Sequence, residues 1–152
     1  MASLVDLLKK QIDAFGPLTI AGYMRECLMH PKYGYYQQQT VFGEQGDFIT
    51  APEISQMFGE IIGLKLAEKW EQAGHPKNTH LIELGPGRGT LMADILRATK
   101  VIPGFHDTLQ IHFIEASNQL RALQAEKVPN ARWYDQIQDV PEGFSLIIAN
   151  EV

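Results

Sequence analysis

The chain has 152 residues, of which 45% are hydrophobic, 20% charged and 9% aromatic, the balance of a globular domain with enough apolar surface for a core of its own. That balance excludes a disordered tail, a collagen-like fibre and a disulfide-dense mini-protein. Thirteen basic against eighteen acidic residues leave a net charge of −5, with no basic footprint for nucleic acid or an anionic membrane. The single cysteine, Cys27, cannot close an internal disulfide, and no Cys/His cluster suggests a metal site; a reducing compartment fits.

Met1 to Leu8 carries Asp6 within its apolar stretch and its lysines after it, the reverse of a signal peptide. No apolar run is long enough to span a membrane, and the cytoplasm is the expected location. Leu4, Leu7, Leu8 and Ile12 recur at helical spacing until Gly16-Pro17. Thr19 is placed to cap a second helix that ends before Pro31. His30-Pro31-Lys32-Tyr33-Gly34-Tyr35-Tyr36 mixes turn formers with tyrosines, and His30 reads as structural. Val41 to Thr50 reads as extended and loop-like. A third helix is expected to start near Ala51-Pro52-Glu53 and to run to Trp70, with Ile54, Met57, Phe58, Ile61, Ile62, Leu64 and Leu66 as one broad apolar face. Trp70, Trp133 and Cys27 are assigned to full or partial burial, without chemistry.

After Gly74 to Asn78 the pattern changes to strands alternating with helices. The expected strands are His80–Leu84, Leu109–Glu115, Ala131–Tyr134 and Phe144–Ala149, with helices over Thr90–Thr99 and Ser117–Ala125. Such alternation predicts βαβ units and a parallel sheet. The last strand is nearly all apolar, as for one buried on both faces. Because the chain stops two residues beyond it, we read the sequence as a piece of a longer protein.

Glu83-Leu84-Gly85-Pro86-Gly87-Arg88-Gly89 lies between a strand and a helix, where glycines let a backbone turn tightly against a ligand. Three readings compete. A P-loop needs a lysine that Arg88-Gly89-Thr90 does not supply. A dinucleotide loop puts its third glycine where Thr90 stands, and its acid about 20 residues on, whereas Glu115 comes 30 after Gly85. The E-x-G-x-G-x-G loop of S-adenosylmethionine-dependent methyltransferases matches at each position. In that reading Gly85, Pro86, Gly87 and Gly89 form the cofactor loop, Glu83 orients it or meets the methionine ammonium, and Glu115 accepts the ribose hydroxyls. The bland alternative is a glycine turn with two incidental glutamates. Asn150-Glu151, ending the fourth strand across the switch point from this loop, either faces the methyl group or is a solvated strand end.

Four segments carry a more specific likeness: residues 30–36, the long run Gly46-Asp47-Phe48-Ile49-Thr50-Ala51-Pro52-Glu53-Ile54-Ser55-Gln56-Met57-Phe58-Gly59-Glu60, residues 83–89, and Ala149-Asn150-Glu151. Through them the chain, from about Leu4 to Val152, resembles the MidA-like methyltransferases, whose mitochondrial members assist respiratory complex I assembly by methylating an arginine of a partner subunit. The resemblance implies an α/β, Rossmann-like class I methyltransferase fold: a mainly helical region at 1–75, then the first half of the methyltransferase domain at 76–152, cut after its fourth strand. It implies S-adenosyl-L-methionine as cofactor and an arginine-bearing protein as substrate; neither nucleic acid binding nor membrane insertion is expected, from the charge and the short apolar runs. It makes Tyr33, Tyr35, Asp47, Thr50 and Glu53 candidate contacts at the site mouth, and Glu151, with Asn150, Asp47 and Glu53, the candidate catalytic set. The location becomes bacterial cytoplasm, or the mitochondrial matrix for a trimmed eukaryotic homologue. Two other functions remain open: a non-catalytic assembly protein that keeps the fold, and an NAD(P)-dependent oxidoreductase with an atypical loop.

Overall fold

The computed structural model describes residues 3–35 and 51–150. The extended segment expected over 41–50, and with it Asp47 and Thr50, lies outside the described residues, as do Tyr36 and Glu151.

Helix α1 spans Leu4–Phe15 and starts in a capping box: the Asp6 amide donates to Ser3 Oγ at 3.2 Å and the Ser3 amide to Asp6 Oδ2 at 2.9 Å. It stops at Gly16, with φ at 87°. In α2, Ile20–Met29, Thr19 Oγ1 accepts the Gly22 amide at 3.0 Å, the cap its sequence suggested. His30 closes the following turn by accepting the amides of Lys32 (3.1 Å) and Tyr33 (3.2 Å) on Nδ1, a structural use of the imidazole.

The third helix expected from Ala51 to Trp70 is two helices: α3, Ala51–Ile54, and α4, Gln56–Gln72, separated by Ser55 in extended geometry at φ −149°, ψ 122°. The expected apolar face is also divided. Phe58, Ile62 and Leu66 pack against the core, whereas Ile54, Met57, Ile61 and Leu64 are all at least half exposed. The stripe that is buried runs through Gly59, Gly63, Ala67 and Trp70. Small residues there let α4 approach α5, Thr90–Thr99, to backbone distance: a Cβ on Gly59 would lie 2.6 Å from Asp94 Cβ, and one on Gly63 3.1 Å from Ile95 Cα. Gly59→Ala should therefore lower stability by about 1–3 kcal/mol through overpacking, although alanine is the better helix former by nearly ~1 kcal/mol. An unchanged or higher urea midpoint would show that the two helices can separate without cost.

The sheet is parallel throughout, in the order β3-β2-β1-β4, with β1 Thr79–Leu84, β2 Leu109–Ile114, β3 Arg132–Tyr134 and β4 Phe144–Ala149. Strand 1 is central and almost fully buried. Two helices link the strands besides α5: the short α6, Phe105–Thr108, and α7, Asn118–Lys127, which Ser117 caps by accepting the Leu120 amide. Leu81, Phe113 and Leu146 project from one face of the sheet into a core completed by Ala67, Trp70, Leu91, Met92, Ile95 and Phe105. On the other face, His80 Nδ1 and His112 Nε2 lie 2.9 Å apart across β1 and β2. Burial, with His80 and Arg132 nearby, holds His112 down to about 4.

Strand 4 lies at the edge of the four described strands, and of its residues only Leu146 is buried while Ile147 is 51% exposed in this chain. No helix among the described residues is long and apolar enough to cross a membrane.

Candidate cofactor site at the carboxyl edge of the sheet

The strand register aligns the ends of three strands. Leu84 pairs with Ile114 on one side and Ala149 on the other, so Gly85, Glu115 and Asn150 emerge side by side at the carboxyl edge. Two backbone bonds extend the sheet into the loops: the Gly85 amide donates to the Ile114 carbonyl and the Glu115 amide to the Tyr134 carbonyl, each at 3.1 Å. Ligands of open α/β sheets occupy this crevice.

The loop between β1 and α5 owes its shape to its glycines. Gly85, Gly87 and Gly89 have φ of 58°, 53° and 75°, a region in which a side chain is strained. At Gly87 a Cβ would meet nothing within 4 Å, so there the backbone conformation, rather than crowding, calls for glycine. The Gly89 amide donates to the Pro86 carbonyl at 2.8 Å and Gly89 caps α5, whose positive end thus faces the loop.

Beneath this loop sits Glu83, only 3% exposed. Its Oε2 is buried without a hydrogen-bond partner, and burial pushes its carboxyl up to about 8. A buried carboxylate oxygen with no donor is costly and calls for an explanation. Such an oxygen beside a glycine loop is suited to a cationic or hydrogen-bond-donating ligand.

Glu115 follows β2 and is held differently. Its Oε1 accepts the Ser117 amide at 2.7 Å, and its Oε2 accepts Gln124 Nε2 at 3.2 Å. Arg121 grips its backbone carbonyl through Nε at 2.8 Å and through Nη2, and its Nη2 also meets Asp135 at 2.5 Å. Burial raises the Glu115 carboxyl; the Ser117 and Gln124 bonds and the Arg121 charge act against it. The Ala116 amide also acts on this carboxylate, whose two oxygens together offer about four acceptor positions, leaving room for a ligand hydroxyl.

Gln124 is the residue that sequence reasoning missed. It is fully buried; its Nε2 donates to the Gly87 carbonyl at 2.8 Å as well as to Glu115, and its Oε1 accepts Trp133 Nε1 at 2.7 Å. A single side chain thereby ties loop, acid and third strand together. Trp133, expected only to pack, also fixes this amide. The one sequence signal was a glutamine on an otherwise solvated helix, a pattern too common to read.

Among the other candidates, Asn150 is half-buried at the crevice, and Glu53 is brought to it from α3: Glu53 Oε1 accepts the Thr90 hydroxyl at 2.7 Å, and Lys127 Nζ donates to the same hydroxyl at 2.5 Å. Glu53 thus stands at the first residue of α5. Asp47, Thr50 and Glu151 lie outside the described residues; Tyr33 and Tyr35 lie in the turn after α2.

A parallel sheet with a glycine loop after β1 and an acid after β2 defines a Rossmann-like cofactor-binding domain. Residues 61–152 match the family described as putative S-adenosyl-L-methionine-dependent methyltransferase, and the chain belongs to it. Among relatives, the protein named protein arginine methyltransferase NDUFAF7, mitochondrial, from Mus musculus is 42% identical over 95% of this chain and 39% of its own length. The Drosophila melanogaster homologue is 40% identical over 98% and 39%. A crystal structure of a Burkholderia thailandensis protein bound to S-adenosyl-homocysteine superposes with a TM-score of 0.72 at 26% identity, covering 98% of this chain and 40% of that one. The chain thus spans about two fifths of the length of the relatives it matches.

Proposed function

We propose that this chain carries the cofactor-binding part of an S-adenosylmethionine-dependent methyltransferase whose substrate is an arginine of another protein. The observation that carries the reading is the partnerless Glu83 oxygen beneath a loop with three left-handed glycines, beside a Glu115 with lone pairs to spare. These residues fit the cofactor: Glu115 for the ribose hydroxyls, Glu83 for the methionine ammonium, and Gly85 to Gly89, with Pro86, for close backbone approach. When bound, S-adenosylmethionine supplies a methyl group on a sulfonium. The protein's task is then to hold the acceptor nitrogen in line with that methyl and to take up a proton. The guanidinium stays protonated in water, with a pKa above ~12, so carboxylates must grip its fork and favour loss of one proton. We assign that role first to Glu151, with Asn150, Glu53 and Asp47 around the acceptor. The names of the relatives support a protein substrate and a mitochondrial location, which we place in the matrix, with the cytoplasm as the counterpart in a bacterium.

Calorimetric titration with S-adenosyl-homocysteine, with NADH as control, tests the cofactor. Binding of the homocysteine compound alone is expected; selective NADH binding, or no binding to the folded chain, overturns the assignment. In a full-length protein, Glu151→Gln should slow methyl transfer at least about tenfold with cofactor affinity intact. Unchanged turnover would remove Glu151 from the catalytic role.

A further inference from the structure

A groove of about 580 Å³ opens between α5, α6, α7 and the start of β3, and its lining includes neither the glycine loop nor Glu83 nor Glu115. Its floor is apolar, formed by Leu96, Ile111 and Val128 among others. Its titratable lining is all basic, Arg97, Lys100, His106, Lys127 and Arg132, beside the neutral Gln110 and Asn130, with no Asp or Glu among the lining residues. In a chain of net charge −5 this is a local inversion of sign. Arg97 is already engaged, with Glu60 at 2.8 Å and Asp94 at 2.7 Å, and Lys127 is bonded to Thr90. Lys100 and Arg132 are exposed and form no ion pair among the described residues.

We propose that this groove is a docking surface for an acidic protein segment, one in which carboxylates flank an apolar side chain.

The arrangement selects this partner over other anions. The basic groups come from four separate elements around an apolar floor, which suits an extended chain with several negative charges and an apolar anchor. A compact phosphate is best held by backbone amides at a helix N-terminus, whereas Lys100 and Lys127 stand at the C-terminal ends of α5 and α7. Single-stranded nucleic acid is held on aromatic platforms, and the lining contains no Phe, Tyr or Trp. The local field is also felt within the groove: burial and then the Lys100 charge hold His106 below its ordinary range, against the opposing pull of Asp107. His106 is fixed there by Thr99, whose hydroxyl lies 2.9 Å from Nε2.

The test is fluorescence anisotropy of a labelled peptide in which pairs of glutamates alternate with leucine, titrated with the whole chain. The same peptide with glutamine for glutamate, inorganic phosphate and polyuridine serve as competitors. The glutamate peptide should bind, and the glutamine peptide should compete at least about tenfold more weakly. Affinity should fall as salt rises. Lys100→Glu combined with Arg132→Glu should weaken binding about tenfold or more, with circular dichroism and the binding of S-adenosyl-homocysteine unchanged. If that pair does not fold, Lys100→Gln with Arg132→Gln carries the test, with about a threefold loss expected. The proposal is overturned if the glutamate peptide fails to bind, if the glutamine peptide competes equally, if neither pair of substitutions alters affinity, or if phosphate or polyuridine displaces the peptide more readily than the peptide displaces itself.

Discussion

Glu115→Ala is expected to weaken binding of S-adenosyl-homocysteine about a hundredfold. Two charge-assisted hydrogen bonds to a ribose, each worth roughly 1.5–3 kcal/mol, would be lost together, and water entering the vacated space offsets part of that sum, leaving about 2.7 kcal/mol, a hundredfold. The same substitution removes the acceptor for the Ser117 amide and for Gln124 Nε2, so part of the loss could come through a loosened start of α7. Two further variants separate these contributions. Glu115→Gln keeps an acceptor at the position but removes the charge, and should cost about tenfold. Gln124→Leu leaves the carboxylate intact but deprives the Gly87 carbonyl and Trp133 Nε1 of their partner. It should lower the unfolding free energy by about 1–3 kcal/mol and affect affinity less than Glu115→Ala does. Calorimetric titration of all three decides the matter: equal affinity for wild type and Glu115→Ala would mean that the ribose lies elsewhere.

The parts of this site that were readable in the sequence are those encoded by local constraints. Glycine at three alternate positions after a short apolar run reflects backbone geometry, and all three adopt left-handed φ. The position of Glu115 was readable because it directly follows the second apolar strand, whose end the register sets beside Gly85. The start of α2 was legible through the capping side chain of Thr19. The break at Ser55 was not, since α3 and α4 share one continuous apolar pattern and Pro52 is compatible with a first helical turn.

Contacts that depend on tertiary distance were hidden for a different reason. The buried stripe of α4 is built on Gly59 and Gly63, residues that carry no hydrophobic signal, because what matters there is how closely two backbones approach. The more hydrophobic Met57, Ile61 and Leu64 are exposed. Gln124 has the same character: its value lies in reaching Gly87, 37 residues earlier, and Glu115, just past the end of β2, at once. Sequence periodicity reports which face of an element is apolar, and it is silent on which polar side chain will find three partners. Glu53 became visible only through the longer family-like segment around it, and its bond to Thr90 is what carries α3 to the loop.

Glu83 offers the sharpest test, because its state should be written into the stability of the ligand-free chain. Its folded-state pKa, pushed up to about 8, exceeds the ordinary carboxyl value of 4.5, so the native state binds the proton more tightly than the unfolded state. The stabilisation is then complete below pH 4.5 and is lost as pH rises through 8. His112 acts in the opposite sense: with its pKa lowered from 6.5 to about 4, its contribution is present above 6.5 and lost as pH falls toward 4. Glu115, also raised by burial, acts in the same sense as Glu83, and His106 in that of His112, so the share of Glu83 is the difference between wild type and Glu83→Gln; from pH 6.5 to 8 that share should lower the unfolding free energy by roughly 1.5 kcal/mol. Urea titrations across that window should show the decline in the wild-type chain and little of it in Glu83→Gln, which keeps the shape of the side chain without its charge. A ligand ammonium beside Oε2 would favour the ionised carboxylate. Binding of S-adenosyl-homocysteine below pH 8 should accordingly release a proton, detectable as a binding heat that changes with the ionisation enthalpy of the buffer. A wild-type chain equally stable at both ends of the window would mean that Glu83 is already ionised and satisfied without a ligand. Buffer-independent heats together with the pH-dependent stability would place the ammonium away from Glu83 and leave the glutamate to orient the loop alone.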